Sequence, residues 1–276
     1  MTRLQAGDLL GISGYLADYD EELLKKTGLT LKGLAARAAG LSEAAAGEII
    51  KGQKAAIVPM TCGQGLIPGF TETVRDIALH LGLAAAVTEA TDAAGLAEAF
   101  EARADIVLAA DDHCFAAFNL NTKRVVDNGE ATGRGFVQAL EQMAGGLTGR
   151  RVLVIGGGSV GRSAGLALLE LGAEVAVYDI NPGPVERWVA GIVRGRDSTL
   201  LIVDDLGKAV REHRYILESS PAPDVLDEAA LSPATYIAAP GVPCGVSRSA
   251  REKHAARIIH DPLRIGTATM LLLALR

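Results

Sequence analysis

Cysteine is scarce: three occur in 276 residues, Cys62, Cys114 and Cys244. They are too few and too scattered for a disulfide framework or a zinc cluster. His113 beside Cys114 and His260 beside Asp261 lack metal-ligand spacing, so no metal is expected. No Lys/Arg-rich run offsets the acidic balance; 27 Lys+Arg against 33 Asp+Glu give a net charge of −6. That argues against nucleic acid or an anionic membrane as partner. No apolar run approaches the roughly 20 residues of a membrane span, the longest lying around Met270 to Leu275. Met1-Thr2-Arg3-Leu4-Gln5 has no apolar export core, so the expected location is the cytoplasm. What is present is apolar residue, 49% of the chain, enough for a packed core and incompatible with disorder.

The first fifty residues read as helix, with Leu9, Ile12, Leu16, Leu23 and Leu24 at helical spacing and a second helical stretch from Thr30 through Ile50. From Ala55 the rhythm changes to short strands apolar on both faces (residues 55–58, 84–88, 106–110) alternating with helices (70–81, 92–103). That pattern indicates a parallel sheet covered on both sides. Residues 111–128 read as polar and irregular, and a helix follows over roughly 133–143. The alternation restarts with strands at 152–155, 175–179, 200–203, 215–218, 236–239 and 257–260, and a helix over 267–275 closes the chain. The expected class is α/β. An N-terminal α/β domain with parallel strands occupies residues 1–130, and a C-terminal Rossmann domain residues 131–276; one sheet of about nine strands is the alternative.

Gly156-Gly157-Gly158-Ser159-Val160-Gly161 follows the strand Val152-Leu153-Val154-Ile155 and opens an apolar helix. Gly156 permits the tight turn, Gly158 lets backbone approach a pyrophosphate, and Gly161 lets helix and strand pack closely. Free amides of the helix start, Ser159 and Val160 included, then face the phosphates. The next strand ends in Asp179, at the spacing of the carboxylate that takes a ribose hydroxyl and repels a 2′-phosphate. The expected cofactor is NAD.

In open parallel sheets ligands bind beyond the carboxyl ends of the strands. That rule selects Thr61-Cys62-Gly63-Gln64-Gly65, Asp111-Asp112-His113, Ser219-Ser220-Pro221, Pro240-Gly241-Val242-Pro243 and Asp261-Pro262. Asp111 and Asp112 either serve the chemistry or cap the segment that follows. Cys62 is a packed or substrate-lining thiol rather than a nucleophile, having no basic partner nearby in sequence. Ser220, Pro221, Pro240 and Gly241 contact ribose or nicotinamide, or simply turn the chain. An interdomain cleft lined in this way suits a small polar substrate carrying amines.

Taken together, Val58-Pro59-Met60-Thr61-Cys62-Gly63-Gln64-Gly65, Ala110-Asp111-Asp112-His113-Cys114-Phe115 with Asn119-Leu120, Pro240-Gly241-Val242-Pro243-Cys244 and Ile265-Gly266-Thr267-Ala268-Thr269-Met270 resemble the pyrrolysine biosynthesis dehydrogenases (pyrrolysine biosynthesis protein D). The resemblance runs over nearly the whole chain. It implies oxidation, by NAD, of the terminal amine-bearing carbon of 3-methyl-D-ornithine joined to the ε-nitrogen of L-lysine. Ammonia is lost, and the ring closes to pyrrolysine. It further implies that Thr61, Cys62, Gly63 and Asn119 line the pocket for this ornithyl-lysine isopeptide, with an N-terminal helical lid starting near Leu4. Asp111, Asp112 and Asp261 are the candidate catalytic carboxylates, because a primary amine must lose its proton before its carbon is oxidised. A homodimer is the default assembly. The competing readings are another two-domain NAD-dependent dehydrogenase, of methylene-tetrahydrofolate or amino-acid type, and a non-catalytic NAD-sensing protein.

Overall fold

A computed structural model describes residues 4–9, 11–193 and 200–276. It divides into two compact units, Met1–Gly135 with Pro262–Arg276, and Phe136–Asp261.

The first unit does not begin as one long helix. Short 3-10 turns at Ala6–Leu9 and Ser13–Tyr15 precede α1 (Leu16–Thr27). The helical stretch expected over Thr30–Ile50 is two helices, α2 (Leu31–Ala38) and α3 (Glu43–Ile50). Gly40, at φ 71°, turns the chain between them. Each helix then starts on its own hydroxyl cap: Thr30 accepts the Gly33 N–H and Ser42 the Ala45 N–H.

A five-stranded sheet follows: β1 (Lys54–Val58), β2 (Ala84–Val87), β3 (Ile106–Ala110), β4 (Phe115–Asn119) and β5 (Val125–Asp127), in the order β2-β1-β3-β4-β5. β1 pairs in parallel with β2 and β3, connected by α4 (Phe70–Leu81) and α5 (Asp92–Glu101). β4 and β5 are antiparallel, so only part of the sheet has the expected parallel character, and the segment expected to be irregular carries two strands. Their core, Phe115-Ala116-Ala117-Phe118, is short and alanine-rich, which gives it little intrinsic strand signal.

α6 (Asn128–Ala144) leads out of this unit, and α11 (Arg264–Leu275) belongs to it. That corrects the expected division at 130, which assigned the closing helix to the Rossmann domain. From Ile265 to Ala274 every residue of α11 is buried. Small residues let α6 and α11 approach closely: a Cβ on Gly135 would lie 2.6 Å from Thr269 Oγ1, and one on Gly266 2.4 Å from Thr132 Oγ1.

The second unit holds a wholly parallel six-stranded sheet: β6 (Arg151–Ile155), β7 (Glu174–Tyr178), β8 (Leu200–Ile202), β9 (Tyr215–Glu218), β10 (Tyr236–Ala239) and β11 (Ile258–His260). The order β11-β10-β9-β6-β7-β8 is that of a doubly wound dinucleotide-binding sheet. Its helices are α7 (Ser159–Glu170), α8 (Pro182–Val193), α9 (Leu206–Glu212) and α10 (Arg248–Lys253). The strand order reverses between β6 and β9, the place where such sheets bind ligands. Two separate sheets replace the single-sheet alternative. Among the described residues no helix is long and apolar enough to cross a membrane.

Candidate active site

At the carboxyl end of β6 the glycines have distinct tasks. Gly156 turns at φ 93°, and a Cβ there would lie 3.0 Å from the Ser219 carbonyl carbon and the Ser220 nitrogen. A Cβ on Gly161 would lie 1.8 Å from the Gly156 carbonyl oxygen, so α7 packs directly on the turn it follows. A Cβ on Gly158 meets nothing within 4 Å; this glycine faces open space and is exposed, as is Ser159. Gly158 caps α7 without a side-chain hydrogen bond, and no acid lies in the first turn. The leading amides of a twelve-residue helix are therefore left without a side-chain acceptor, an arrangement suited to a pyrophosphate. Ser219 braces the turn from β9, its hydroxyl donating to the carbonyls of Ile155 (2.9 Å) and Gly156 (3.1 Å).

Asp179 follows β7 directly. Its Oδ2 accepts the Gly157 N–H at 2.6 Å and its Oδ1 the Asn181 N–H at 2.8 Å, which fixes the carboxylate beside the glycine turn. Next to it Ile180 is 92% exposed, an apolar side chain left at the rim. The Gly158 opening, the α7 start and Asp179 together fit an adenine dinucleotide.

Ser220 does not present a free hydroxyl. Its N–H and its hydroxyl both donate to Oε1 of Glu218, the last residue of β9. Pro221 is exposed, whereas Pro240 and Gly241 are buried after β10. Glu218 is the group that sequence reasoning missed. It is fully buried, and its Oε2 accepts no hydrogen bond. The available signal was a charged residue closing the otherwise apolar strand Tyr215-Ile216-Leu217. Asp261, directly after β11, is also buried, 1% exposed. The neighbouring His260 donates its Nδ1 proton to the Ala239 carbonyl at 2.8 Å, tying the ends of β10 and β11.

In the first unit, the loop after β1 is held from two sides by carboxylates. Asp92 accepts the Thr61 N–H (2.8 Å) and hydroxyl (2.5 Å). Those two bonds hold the Asp92 carboxyl below its ordinary range. Asp112 Oδ2 accepts the Gln64 N–H at 2.8 Å. Gly63, at φ 68°, lies so close that a Cβ would sit 2.0 Å from that same oxygen. Asp111 occupies the turn joining β3 to β4, its N–H donating to the Cys114 carbonyl. Its Oδ1 accepts the N–H groups of His113 (2.7 Å) and Cys114 (2.8 Å), which hold its carboxyl below the usual range. Thr61, Cys62, Gly63, Asp111 and Asp112 thus gather at the carboxyl ends of β1 and β3, with Cys62 exposed. Burial, and then Asp127, push the Cys114 thiol up. Leu4, half-buried, precedes the first 3-10 turn instead of starting a helix.

Asn119 is not part of this group. It pairs with Ile106, at the opposite end of β3 from Ala110, roughly 13 Å away along the strand. Its amide donates to the Ala274 carbonyl, while its Oδ1 accepts the N–H groups of Asn121 and Thr122, each at 2.9 Å. An asparagine so engaged anchors the end of α11 to the β4 turn, at the end of β3 away from the Thr61 and Asp111 loops. Asn119→Ala is therefore expected to cost about 1–3 kcal/mol, as the buried Ala274 carbonyl loses its donor and the turn N–H groups of Asn121 and Thr122 lose their acceptor. A thermal melt will show the loss; steady-state constants altered at unchanged stability would contradict this structural role.

Comparison with known proteins completes the picture. Residues 10–126 match the pyrrolysine biosynthesis protein PylD N-terminal domain, and residues 129–239 the alanine dehydrogenase/PNT C-terminal domain. The chain is 32% identical over 271 residues to the pyrrolysine synthase of Methanosarcina acetivorans, covering 98% of both chains. To that of Methanosarcina barkeri it is 31% identical, covering 98% of this chain and 97% of the other. Among solved structures, a Thermoplasma acidophilum bifunctional methylenetetrahydrofolate dehydrogenase/cyclohydrolase superposes with TM-score 0.56 at 12% identity, over 88% of this chain and 94% of that one. Quinate dehydrogenase from Corynebacterium glutamicum, solved in complex with NAD, gives 0.54 at 13% identity, over 80% and 93%. At these identities the structures share the fold alone. Full-length identity to the two Methanosarcina proteins decides the family: the chain belongs to the pyrrolysine synthases.

Proposed function

We propose that this protein is an NAD-dependent amine dehydrogenase that completes pyrrolysine. Its substrate on this reading is 3-methyl-D-ornithine joined to the ε-nitrogen of L-lysine. The observation that carries the cofactor assignment is the open, uncapped start of α7 at Gly158 beside the fixed carboxylate of Asp179. The substrate assignment rests on membership of the pyrrolysine synthase family.

Gly156 to Gly161 and the first amides of α7 would hold the pyrophosphate, Asp179 the adenosine ribose, and Ile180 the adenine face. NAD, when bound, would supply the acceptor for a hydride from the substrate carbon. The chain must supply the rest. The amine that is oxidised loses one proton to a carboxylate or a held water, and the carbon–hydrogen bond then breaks toward the acceptor. The product imine takes up water and releases ammonia, giving an aldehyde. The ornithine α-amine attacks that aldehyde, and loss of a second water closes the ring.

Asp111, with its pKa held low by two backbone N–H groups, stays ionised at neutral pH and suits binding of an ammonium group better than proton uptake. Asp112 and Asp261 are the remaining candidates for the proton acceptor. Thr61, Cys62 and Gly63 form the rigid edge against which the substrate is oriented.

The test is NADH formation by absorbance with purified protein, NAD and synthetic 3-methyl-D-ornithyl-lysine, with mass spectrometry of the same tube. Absorbance and a pyrroline product must rise together. NADH without a cyclic product would refute ring closure, and binding of NAD without either signal would refute the substrate. Asp179→Ala should raise the NAD dissociation constant about tenfold to a hundredfold, the loss of a charge-assisted hydrogen bond. An unchanged constant in calorimetry would remove Asp179 from the ribose.

A further inference from the structure

The Glu218 carboxyl has no part in the reaction as described, yet it is built into the carboxyl edge of the second unit's sheet. β9 lies between β6 and β10, and Glu218 is in register with Ile155, the residue before the glycine turn. Its Oε1 takes both donors of Ser220. Its Oε2 lies beneath the loop that follows β10. A Cβ on Gly241 would lie 2.8 Å from Oε2, and one on Gly245 2.2 Å from it. Gly241 also donates its N–H to the Glu218 carbonyl at 3.3 Å. The carboxyl thus occupies the space that side chains at 241 and 245 would fill, and it touches the loops after β9 and β10. A buried oxygen with no hydrogen bond, at the strand end next to a dinucleotide turn, has no evident structural return.

We propose that Glu218 is a positioning residue of the cofactor site, clamping the loops after β9 and β10, and that its negative charge favours the oxidised, positively charged nicotinamide ring over the neutral reduced one. The proposal rests on the NAD reading above. Placement supports it, since the loops after these two strands are where the nicotinamide half lies in sheets of this order. Charge supports it too, because a carboxylate in a poorly solvated place acts strongly on a cation nearby.

Glu218 changes charge in the useful range. Burial pushes its carboxyl up to about 7, against the opposing hydrogen bonds from Ser220. Cys244 is the ionisable group facing it; that thiol is pushed up chiefly by its own burial, with Arg251, Glu218 and Asp224 acting on it in turn. The sign follows. Below about 7 Glu218 is neutral and does not discriminate between the two ring states; above it, the carboxylate favours oxidised NAD.

The readout is the ratio of the NADH to the NAD dissociation constant across pH. NADH binding is followed by energy transfer from Trp188, the one tryptophan of the chain, which packs on Gly165 of α7, and NAD binding by competition. Groups that see both ring states alike cancel in that ratio, as does a purely structural role. In the parent protein the ratio should rise about threefold to tenfold between about pH 6 and about pH 8. In Glu218→Gln it should stay flat. Ser220→Ala, which keeps the carboxyl but removes one donor to it, should move the midpoint upward, and serves if Glu218→Gln does not fold. Cys244→Ser should leave the midpoint in place. A Glu218→Gln ratio that follows the parent curve, an unmoved midpoint in Ser220→Ala, or a midpoint lost in Cys244→Ser would each overturn the proposal. If the parent binds neither form at any pH, the NAD reading fails and takes this one with it.

Discussion

Gly161→Ala is expected to raise the NADH dissociation constant by about two orders of magnitude and to destabilise the second unit by about 3 kcal/mol. The new methyl would sit 1.8 Å from the Gly156 carbonyl oxygen and 3.0 Å from Ser219 Oγ. Neither a rotamer change nor a side-chain shift relieves a contact with backbone. Either α7 moves away from β6 or the turn at Gly156 opens. The first choice withdraws the amides at the helix start from the phosphates. The second breaks the bonds Ser219 makes to the carbonyls of Ile155 and Gly156. Gly158→Ala supplies the contrast, because its Cβ meets nothing within 4 Å. On stability it should be nearly silent, while a ligand occupying that open space should still feel the methyl. Titration and melting of the two variants side by side separate packing from approach. Equal melting losses for both would refute the division of labour assigned to these glycines.

The same contrast explains what could be read from the chain in advance. Fingerprint glycines and Asp179 are local features: their meaning depends on a strand before and a helix after, both marked by apolar runs. Hence the second unit was legible nearly strand by strand. The first unit's parallel strands were legible for the same reason. β4 and β5 were not, because their stability comes from pairing (β4 with β3, β5 with β4) and from packing against α11, neither of which leaves a periodic mark on Phe115-Ala116-Ala117-Phe118. The closing helix posed a similar difficulty. Its apolar character is legible, but nothing local states that it belongs with residues from the start of the chain. Asn119 misled because a polar residue ending a strand looks the same whether it faces a ligand or ties down backbone. Glu218 escaped notice for the converse reason. As the end of an apolar strand it is marked only by its place in the sheet, and the geometry of Gly241 and Gly245 reveals a carboxyl filling their missing side chains.

Among the first-unit carboxylates, Asp112 carries the sharpest expectation. Asp112→Ala should lower turnover of the ornithyl-lysine substrate about a hundredfold, the usual consequence of misplacing a reacting group by an ångström or so. NADH affinity should stay within about twofold, because the substitution lies in the other unit. Its Oδ2 holds the Gln64 N–H and lies where a Gly63 side chain would point. Without it, the loop from Thr61 to Gly65 loses that hold on Gln64 and keeps the bonds of Thr61 to Asp92. Gly63→Ala should produce a similar loss by the reciprocal route: a methyl 2.0 Å from Oδ2 expels the carboxylate, and alanine at φ 68° adds about 1–2 kcal/mol of backbone strain. The two substitutions remove one and the same contact. Combined, they should therefore cost little more in turnover than Asp112→Ala alone, far short of the roughly ten-thousandfold loss that independent effects would multiply to. Full multiplication in the double-mutant cycle would mean that Gly63 and Asp112 act separately. The aspartate would then be serving the substrate directly instead of holding the loop, and Asp112 would become the leading candidate for the group that takes the amine's proton.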